Sequence, residues 1–308
     1  MFLHENIPLA PFTSFHIGGK ARYYTEVSGT IELAEAFEYA EENHLVFYVL
    51  SGGSNVLFSD QGFSGMVIHI TGGGITVSGE RITVSAGIPL MAVVTKAQGA
   101  SLQGVEKLAG IPGSFGGAVR GNAGAFGVEI GDLVESVKTL DRSSGMVKEY
   151  QNNECHFRYR TSLFKETKNL VVLSATLKLA TGDQEILARV IGETIASREA
   201  KHPQSALCAG SFFMNPFVTD QHLLEEFEKD TGHPSKDGRL PAGWLIDHVG
   251  LRGKTIGGAQ VSLLHPNYLV NTGHATALDV VTLASLVKMK VRDELHVRLE
   301  EEVQYVGF

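Results

Sequence analysis

Gly104–Gly127, GVEKLAGIPGSFGGAVRGNAGAFG, is the stretch on which the reading of this chain turns. Its glycines, at 104, 110, 113, 116, 117, 121, 124 and 127, follow no spacing that a helix or strand of ordinary length uses throughout. Each permits positive φ or close backbone approach at an entropic cost, so the density predicts a loop system wrapped around something bulky and flat. Amide N–H groups exposed along such a wrap form an anion-binding concavity suited to a pyrophosphate. The alternative is a glycine-rich surface loop. Against it stand Leu108, Ile111, Phe115, Ala118, Val119, Ala123 and Phe126, apolar residues interleaved with the glycines that need burial.

A second loop of the same kind lies upstream. Leu45–Leu50 (LVFYVL) is a continuous apolar run of strand length that empties into Ser51-Gly52-Gly53-Ser54-Asn55. A buried strand ending so is where an α/β unit presents backbone amides to a ligand. No GxGxxG is present and no Gly-Lys-Ser/Thr follows, so the turn is neither a dinucleotide fingerprint nor a P-loop. A plain β-turn is the other reading of this motif alone.

Around these loops the periodicity alternates. Ile31–His44 has helical spacing at Leu33, Ala36, Phe37 and Ala40. Short strands are expected at Val67–Ile70, Ile75–Val77 and Ile82–Ser85, and a helix over Pro89–Gly99. A hairpin pairs Val134–Leu140 with Met146–Tyr150 across Asp141–Gly145, and Leu170–Leu179 is β-prone. An amphipathic helix in Gly182–Ala200 leaves this first body. The second body carries helices over His222–Lys229 and before Gly250, strands at Val261–Leu264 and Tyr268–Val270, a long helix Leu278–Leu295 and a closing strand Val297–Val306.

At 308 residues, 43% hydrophobic and 19% charged, the chain has the balance of a globular protein too long for one small core. A formal charge of −8, with Lys and Arg scattered, excludes nucleic-acid binding through a basic footprint and leaves room for a local basic pocket. Cys155 and Cys208 are far apart with no CxxC, which indicates neither a disulfide framework nor a cysteine zinc site. The histidines occur singly, so no metal is expected. The N-terminus lacks a basic n-region, and no apolar run approaches the roughly 18 residues of a membrane helix. A cytoplasmic protein without membrane or nucleic-acid partners is the expectation.

Three clusters place reactive groups on apolar segments. In Tyr159-Arg160-Thr161-Ser162, a fixed guanidinium would stabilise a carboxylate or a developing enolate, or serve as a plain surface charge. In Gly210-Ser211-Phe212-Phe213, two aromatic rings exclude water around a hydroxyl that would give up a proton, and a structural serine is the other reading. In Leu299-Glu300-Glu301-Glu302-Val303, alternation along an extended strand sets Glu300 and Glu302 on one face and Glu301 on the other. One face must look toward the protein or a cleft, where a carboxylate relays a proton or polarises a water.

In this order, SGGSN, GIPGSFGGAVRGNAGAFG, YRTSLFK, GSFFMNP, AGWLIDHVGLRGKTIGGAQVS and LEEEV resemble the UDP-N-acetylenolpyruvoylglucosamine reductase (MurB) family across essentially the whole chain. The resemblance implies an α/β protein: an FAD-binding region of two subdomains, of the vanillyl-alcohol-oxidase (PCMH) type, over 1–185 (about 1–72 and 73–185), then a substrate-binding α/β domain over 186–308. It implies that NADPH reduces FAD and that UDP-N-acetylglucosamine enolpyruvate is reduced to UDP-N-acetylmuramate, a peptidoglycan precursor, by a monomeric enzyme. Arg160 matches the arginine that stabilises the enolate-like intermediate, Ser211 the serine that protonates it and Glu302 the glutamate that assists. Cofactor contacts are implied for Ser51, Gly52, Gly53, Ser54, Asn55, Gly110, Ile111, Pro112, Gly113, Gly116, Gly117, Asn122, Ala123 and Gly124. Substrate contacts are implied for Tyr159, Lys201 and Asn215.

The chain departs from the family pattern at two positions. Met214 stands where Lys or Arg commonly precedes Asn-Pro, and Glu301 where proline is common. The short span from Arg160 to Lys201 places the chain in the branch without a tyrosine-bearing substrate lid. Two rival readings are a flavin oxidase of the same fold and a non-catalytic nucleotide-sugar sensor. The first lacks a His or Cys in the glycine-dense stretch for covalent attachment. The second is opposed by the presence of Arg160, Ser211 and Glu302 together.

Overall fold

A computed structural model describes residues 1–201 and 206–308, with the backbone alone at Lys201. The chain forms two compact units. The first comprises Met1–Ile7, Ala21–Gly53 and Ser64–Ala200, and the second Pro8–Lys20, Ser54–Phe63 and Lys201–Phe308.

The first unit is built on two sheets. One has the strand order His4–Pro8, Lys20–Val27, Phe63–Ile70, Phe47–Leu50. Phe47–Leu50 lies parallel to Phe63–Ile70, with Leu50 opposite His69. The helix Thr30–Glu42 buries the predicted face, Leu33, Ala36, Phe37 and Ala40, in a core with Val27, Met66 and Ile68. The other sheet is antiparallel, in the order Met146–Gln151, Val134–Asp141, Leu170–Lys178, Arg81–Ser85, Ile75–Ser78.

Helices Leu90–Gly99 and Phe115–Gly121 share a core with that second sheet. Leu108, Phe115 and Val119 from the glycine-dense stretch are wholly buried there, which rules out a mere surface loop. Phe126 is the exception, 44% exposed. Full burial of side chains of this size stabilises by about 1.5–3 kcal/mol each, enough to fix a loop that glycine entropy alone would leave open.

The helix Gln184–Lys201 packs Ile191 and Ile195 on the same core. The first compact unit therefore runs to Ala200, beyond the expected boundary at 185/186.

The second unit carries an antiparallel sheet, Leu207–Cys208, Leu269–Asn271, Ala259–Val261, Thr255–Ile256. The helix Ala277–Leu295 supplies Val280, Leu283, Ala284, Val287 and Val291 to its core. Helices Gln221–Thr231 and Ala242–His248 complete it. Two N-terminal excursions belong here for physical reasons. Val56–Phe58 pairs in parallel with Gln304–Val306, and the Asp60 carboxylate accepts the Ala277 and Leu278 amides at 2.8 and 3.1 Å, capping the long helix.

Two expected strands are shorter than the apolar runs suggested. The chain turns after Val261 because the Ser262 hydroxyl accepts the amides of Leu264 and His265. At the C-terminal end only Gln304–Val306 is regular strand, while Glu301 makes a single antiparallel bridge with Phe213. Among the described residues no helix is long and apolar enough to cross a membrane.

Candidate active site

The two glycine loops meet within the first unit. Gly52 lies so close to Gly113–Ser114 that a Cβ on it would sit 2.4 Å from the Ser114 nitrogen and 2.5 Å from the Gly113 Cα. The amides of Gly52, Gly113 and Ser114 find no acceptor among the described residues. The next amides are spent: Phe115 on the Ile88 carbonyl at 2.7 Å, Gly116 on that of Ala86 at 2.9 Å, and Gly117 on the Ser114 hydroxyl at 3.2 Å. The unspent amides of this region thus lie at the junction of two turns, while those of Gly116 and Gly117 are spent within the fold. Gly116 is glycine because a Cβ there would lie 2.5 Å from that of Ala86.

A pyrophosphate-bearing cofactor fits this arrangement, since unspent amides gather where only a glycine leaves room. Gly110 and Gly113 both take positive φ, and Ile111 is half-buried, flanking Pro112. Beside the loop stands a cation that the sequence reading passed over. Burial pulls the Arg120 guanidinium down from its ordinary pKa and pushes the Tyr48 phenol up to about 12, each acting electrostatically on the other. The only sequence signal for it is that it is the one charged residue between Gly110 and Gly127.

Asn122 departs from expectation. It ends the helix at φ +46, donates its amide to Glu129 at 2.6 Å and to the Arg158 carbonyl at 3.0 Å, and accepts the Gly131 amide at 2.9 Å. Its side chain clamps three loops and has both amide protons committed within the fold. Ala123 donates to the Ala118 carbonyl at 2.8 Å. Gly124 accepts from Arg160 Nη2 at 3.2 Å, which joins two of the expected site residues.

Arg160 occupies a tight turn closed by reciprocal Arg158–Thr161 backbone bonds of 3.1 and 3.0 Å, at φ +57. Its guanidinium carbon lies 5.2 Å from the Tyr159 ring centroid, a cation–π contact, and Lys165 Nζ donates to its carbonyl at 2.7 Å. The buried Ser162 hydroxyl ties the segment to the Arg120 carbonyl at 2.7 Å. The backbone strain and the several restraints together hold one guanidinium orientation beside the glycine loop.

The second unit holds the other candidates. Ser211 follows Gly210, at φ +74, and is half-buried. Phe212 and Phe213 are buried behind it, with ring centroids 5.1 Å apart. Asn267, buried and unremarked in the sequence reading, accepts the Phe213 amide at 3.0 Å and donates to its carbonyl at 2.8 Å. The Glu302 amide donates to the Phe212 carbonyl at 2.9 Å, and Met214 donates to that of Glu300 at 2.9 Å. Backbone pairing therefore sets Glu302 opposite the residue that follows Ser211.

The three acids separate as alternation requires. Glu301 turns to Lys288, Glu300 is exposed and Glu302 is half-buried. Asn55 donates to the Glu302 carbonyl at 3.2 Å, and its Oδ1 is buried with no donor among the described residues. Ser54 lies beside it in this unit, while Ser51 and Gly53 lie in the first. Asn215 accepts the Ala242 amide at 3.0 Å through Oδ1 and Arg239 at 2.9 Å through its carbonyl, so it starts the helix Ala242–His248. The Lys201 side chain lies outside the described residues. Two surface grooves, of about 440 and 550 Å³, meet at Leu133 and Lys178 and contain none of the expected site residues.

Residues 21–150 match the FAD binding domain family. Residues 202–306 match the C-terminal domain family of UDP-N-acetylenolpyruvoylglucosamine reductase. Proteins of that name from Solibacter usitatus and Carboxydothermus hydrogenoformans are 34% and 38% identical to the chain. The alignments cover 97% and 98% of this chain and 95% and 93% of those proteins. The crystal structure of MurB from Thermus caldophilus superposes with a TM-score of 0.79 at 32% identity, covering 99% of this chain and all of that one. The chain belongs to the UDP-N-acetylenolpyruvoylglucosamine reductase (MurB) family of oxidoreductases, with an FAD-binding domain followed by the family's C-terminal domain.

Proposed function

We propose that the chain reduces UDP-N-acetylglucosamine enolpyruvate to UDP-N-acetylmuramate, with FAD held at the junction of the Gly52 and Gly113–Ser114 turns and NADPH as the source of electrons. The observation that supports the cofactor placement is the close approach of the Gly52 and Gly113–Ser114 turns, whose three amides have no acceptor among the described residues. Bound FAD supplies a two-electron hydride transfer in this chemistry.

The chain's own residues do the rest. A hydride added at the β-carbon of the enolpyruvyl group leaves negative charge spread from the α-carbon into the carboxylate. A fixed cation must meet that charge, and Arg160 is the one oriented by the Tyr159 ring and the Gly124 carbonyl. The α-carbon must then receive a proton, which falls to the Ser211 hydroxyl. A serine of water-like pKa is a weak acid, and Glu302, paired through its backbone with Phe212, is the charged group placed to support it. Asn215 serves by holding the loop after Ser211, and a cytoplasmic monomer is the state in which the enzyme would act.

Ser211→Ala separates the half-reactions. Bleaching of the flavin by NADPH is expected to stay near the wild-type rate, while recolouring by the enolpyruvyl nucleotide slows by about 10³-fold or more, as loss of a general acid allows. Equal loss of both half-reactions would remove Ser211 from the role.

A further inference from the structure

A polar chain runs through the first unit to the peptide that presents the Gly52 amide. Tyr24 Oη lies 2.8 Å from Glu26 Oε1 and 2.7 Å from His69 Nδ1, and His69 Nε2 lies 3.0 Å from the Ser51 carbonyl oxygen. The Ser51 hydroxyl adds a bond to the Ile70 carbonyl at 3.1 Å.

Counting protons assigns the donors. A carbonyl only accepts, so Nε2 carries a proton. A carboxylate only accepts, so the Tyr24 hydroxyl donates to Glu26. The bond between Tyr24 and Nδ1 then needs a proton on Nδ1. Three bonds take three protons, whereas a neutral imidazole, a phenol and a carboxylate hold two. The chain is complete with one added proton, and the imidazole is the member that titrates nearest neutrality.

We propose that Glu26, Tyr24 and His69 form a proton-loaded strut that positions the Ser51–Gly52 peptide and so aims the Gly52 amide at the cofactor's phosphate. The Ser51 carbonyl and the Gly52 N–H are opposite ends of one planar trans peptide, so fixing one fixes the other. The two point in opposite directions, so the Ser51 carbonyl turned to His69 leaves the Gly52 N–H pointing away from it. An imidazolium donor is stronger than a neutral one and polarises the peptide further, making the Gly52 N–H a better anion ligand.

The groups facing His69 are Tyr24 and Glu26 from the strand on one side. The strand on the other, Phe47–Leu50, leads to the Ser51 carbonyl and brings no ionised group. Burial pulls His69 down, Glu26 and the Ser51 bond push it back, and the net direction is down. The strut therefore fills below the ordinary histidine value of about 6.5. When the proton leaves, the bond to Glu26 is the one that opens, because that carboxylate is 55% exposed and water replaces its partner. Cofactor affinity accordingly rises as pH falls through the His69 titration.

The inference rests on the placement of the cofactor at Gly52, and the test separates the two. FAD affinity of the flavin-stripped full chain is measured by fluorescence quenching from about pH 5.5 to about pH 8, beside the ¹⁵N shifts of the His69 ring. Wild type is expected to bind roughly threefold to tenfold more tightly at the acid end. Glu26→Gln donates an amide proton to Tyr24, whose hydroxyl then turns to Nδ1. That completes the strut without an added proton and keeps the imidazole neutral, so this variant binds with a flat pH profile at about the affinity wild type has at the alkaline end. His69→Phe binds roughly tenfold or more weakly at every pH, and His69→Gln, which keeps a donor for the Ser51 carbonyl, recovers part of the loss.

A Glu26→Gln protein that keeps the wild-type pH slope overturns the strut, and this exposed position keeps that outcome readable if His69→Phe does not fold. Gly52→Ala tells the two failures apart. If it weakens FAD binding and His69→Phe does not, the strut alone is wrong. If it binds FAD as wild type does, the cradle is wrong and the strut falls with it.

Discussion

Lys288 Nζ lies 2.8 Å from Oε1 and 3.0 Å from Oε2 of Glu301, an ion pair at the position where the family pattern commonly has proline. The amides of Met214 and Glu302 close the backbone pairing on either side, while that of Glu301 makes no hydrogen bond among the described residues. Proline at 301 would therefore remove no backbone bond. What it removes is a partly exposed ion pair, worth about 0–1 kcal/mol after screening. Glu301→Pro is expected to lower the thermal midpoint by no more than about 4 °C and to leave flavin reoxidation by substrate unchanged. A variant that unfolds or loses turnover would show that Glu301 supports the Phe212–Glu302 pairing beyond its contact with Lys288.

Gly52→Ala bears directly on the cradle. The added Cβ would meet the Ser114 nitrogen at 2.4 Å and the Gly113 Cα at 2.5 Å, both backbone atoms that move only with their turn. The turns must part, which moves the three unspent amides relative to one another. Overpacking of this kind costs about 1–3 kcal/mol of stability. The expected protein is folded, with FAD affinity lowered by roughly tenfold or more, as loss of one or more charge-assisted bonds implies. Equilibrium dialysis with FAD checks it. Full flavin occupancy at the wild-type dissociation constant would place the phosphate elsewhere.

Which parts of this were legible in the sequence follows from range. The face Leu33, Ala36, Phe37 and Ala40 and the hairpin across Asp141–Gly145 are local patterns, and they were readable as helix and hairpin. The excursions Pro8–Lys20 and Ser54–Phe63 were not. Their place in the second unit depends on Asp60 capping a helix that begins 217 residues later and on Val56–Phe58 pairing with the last strand, contacts that leave no period in the chain. The site divides in the same way. Glycine density announced the loops, because a glycine's reason is its own backbone. It did not show that Gly116 answers to Ala86, that Asn122 is spent on Glu129 and Arg158, or that His69 reaches the Ser51 carbonyl, because those roles are set by partners.

Asp279 makes part of the second unit's stability depend on pH. Its carboxylate accepts the Thr276 amide at 3.0 Å, closing a capping box on the helix Ala277–Leu295, and the Gly258 amide at 3.2 Å. Those bonds, that of Thr276 first, hold the carboxyl below its usual range against a small opposing effect of burial. A carboxylate depressed in the folded state stabilises fully above its unfolded value, about 3.9, and the contribution is lost as pH falls through the folded value below it. Asp279→Asn keeps an acceptor but cannot titrate, and Asp279→Ala removes the cap, at a cost of about 1 kcal/mol for such a motif. Urea midpoints of wild type and Asp279→Asn are therefore expected to differ at neutral pH and to converge in acid as the wild-type carboxyl protonates. A difference that stays constant into acid would mean that charge at Asp279 contributes nothing and that the acceptor geometry alone holds the helix start.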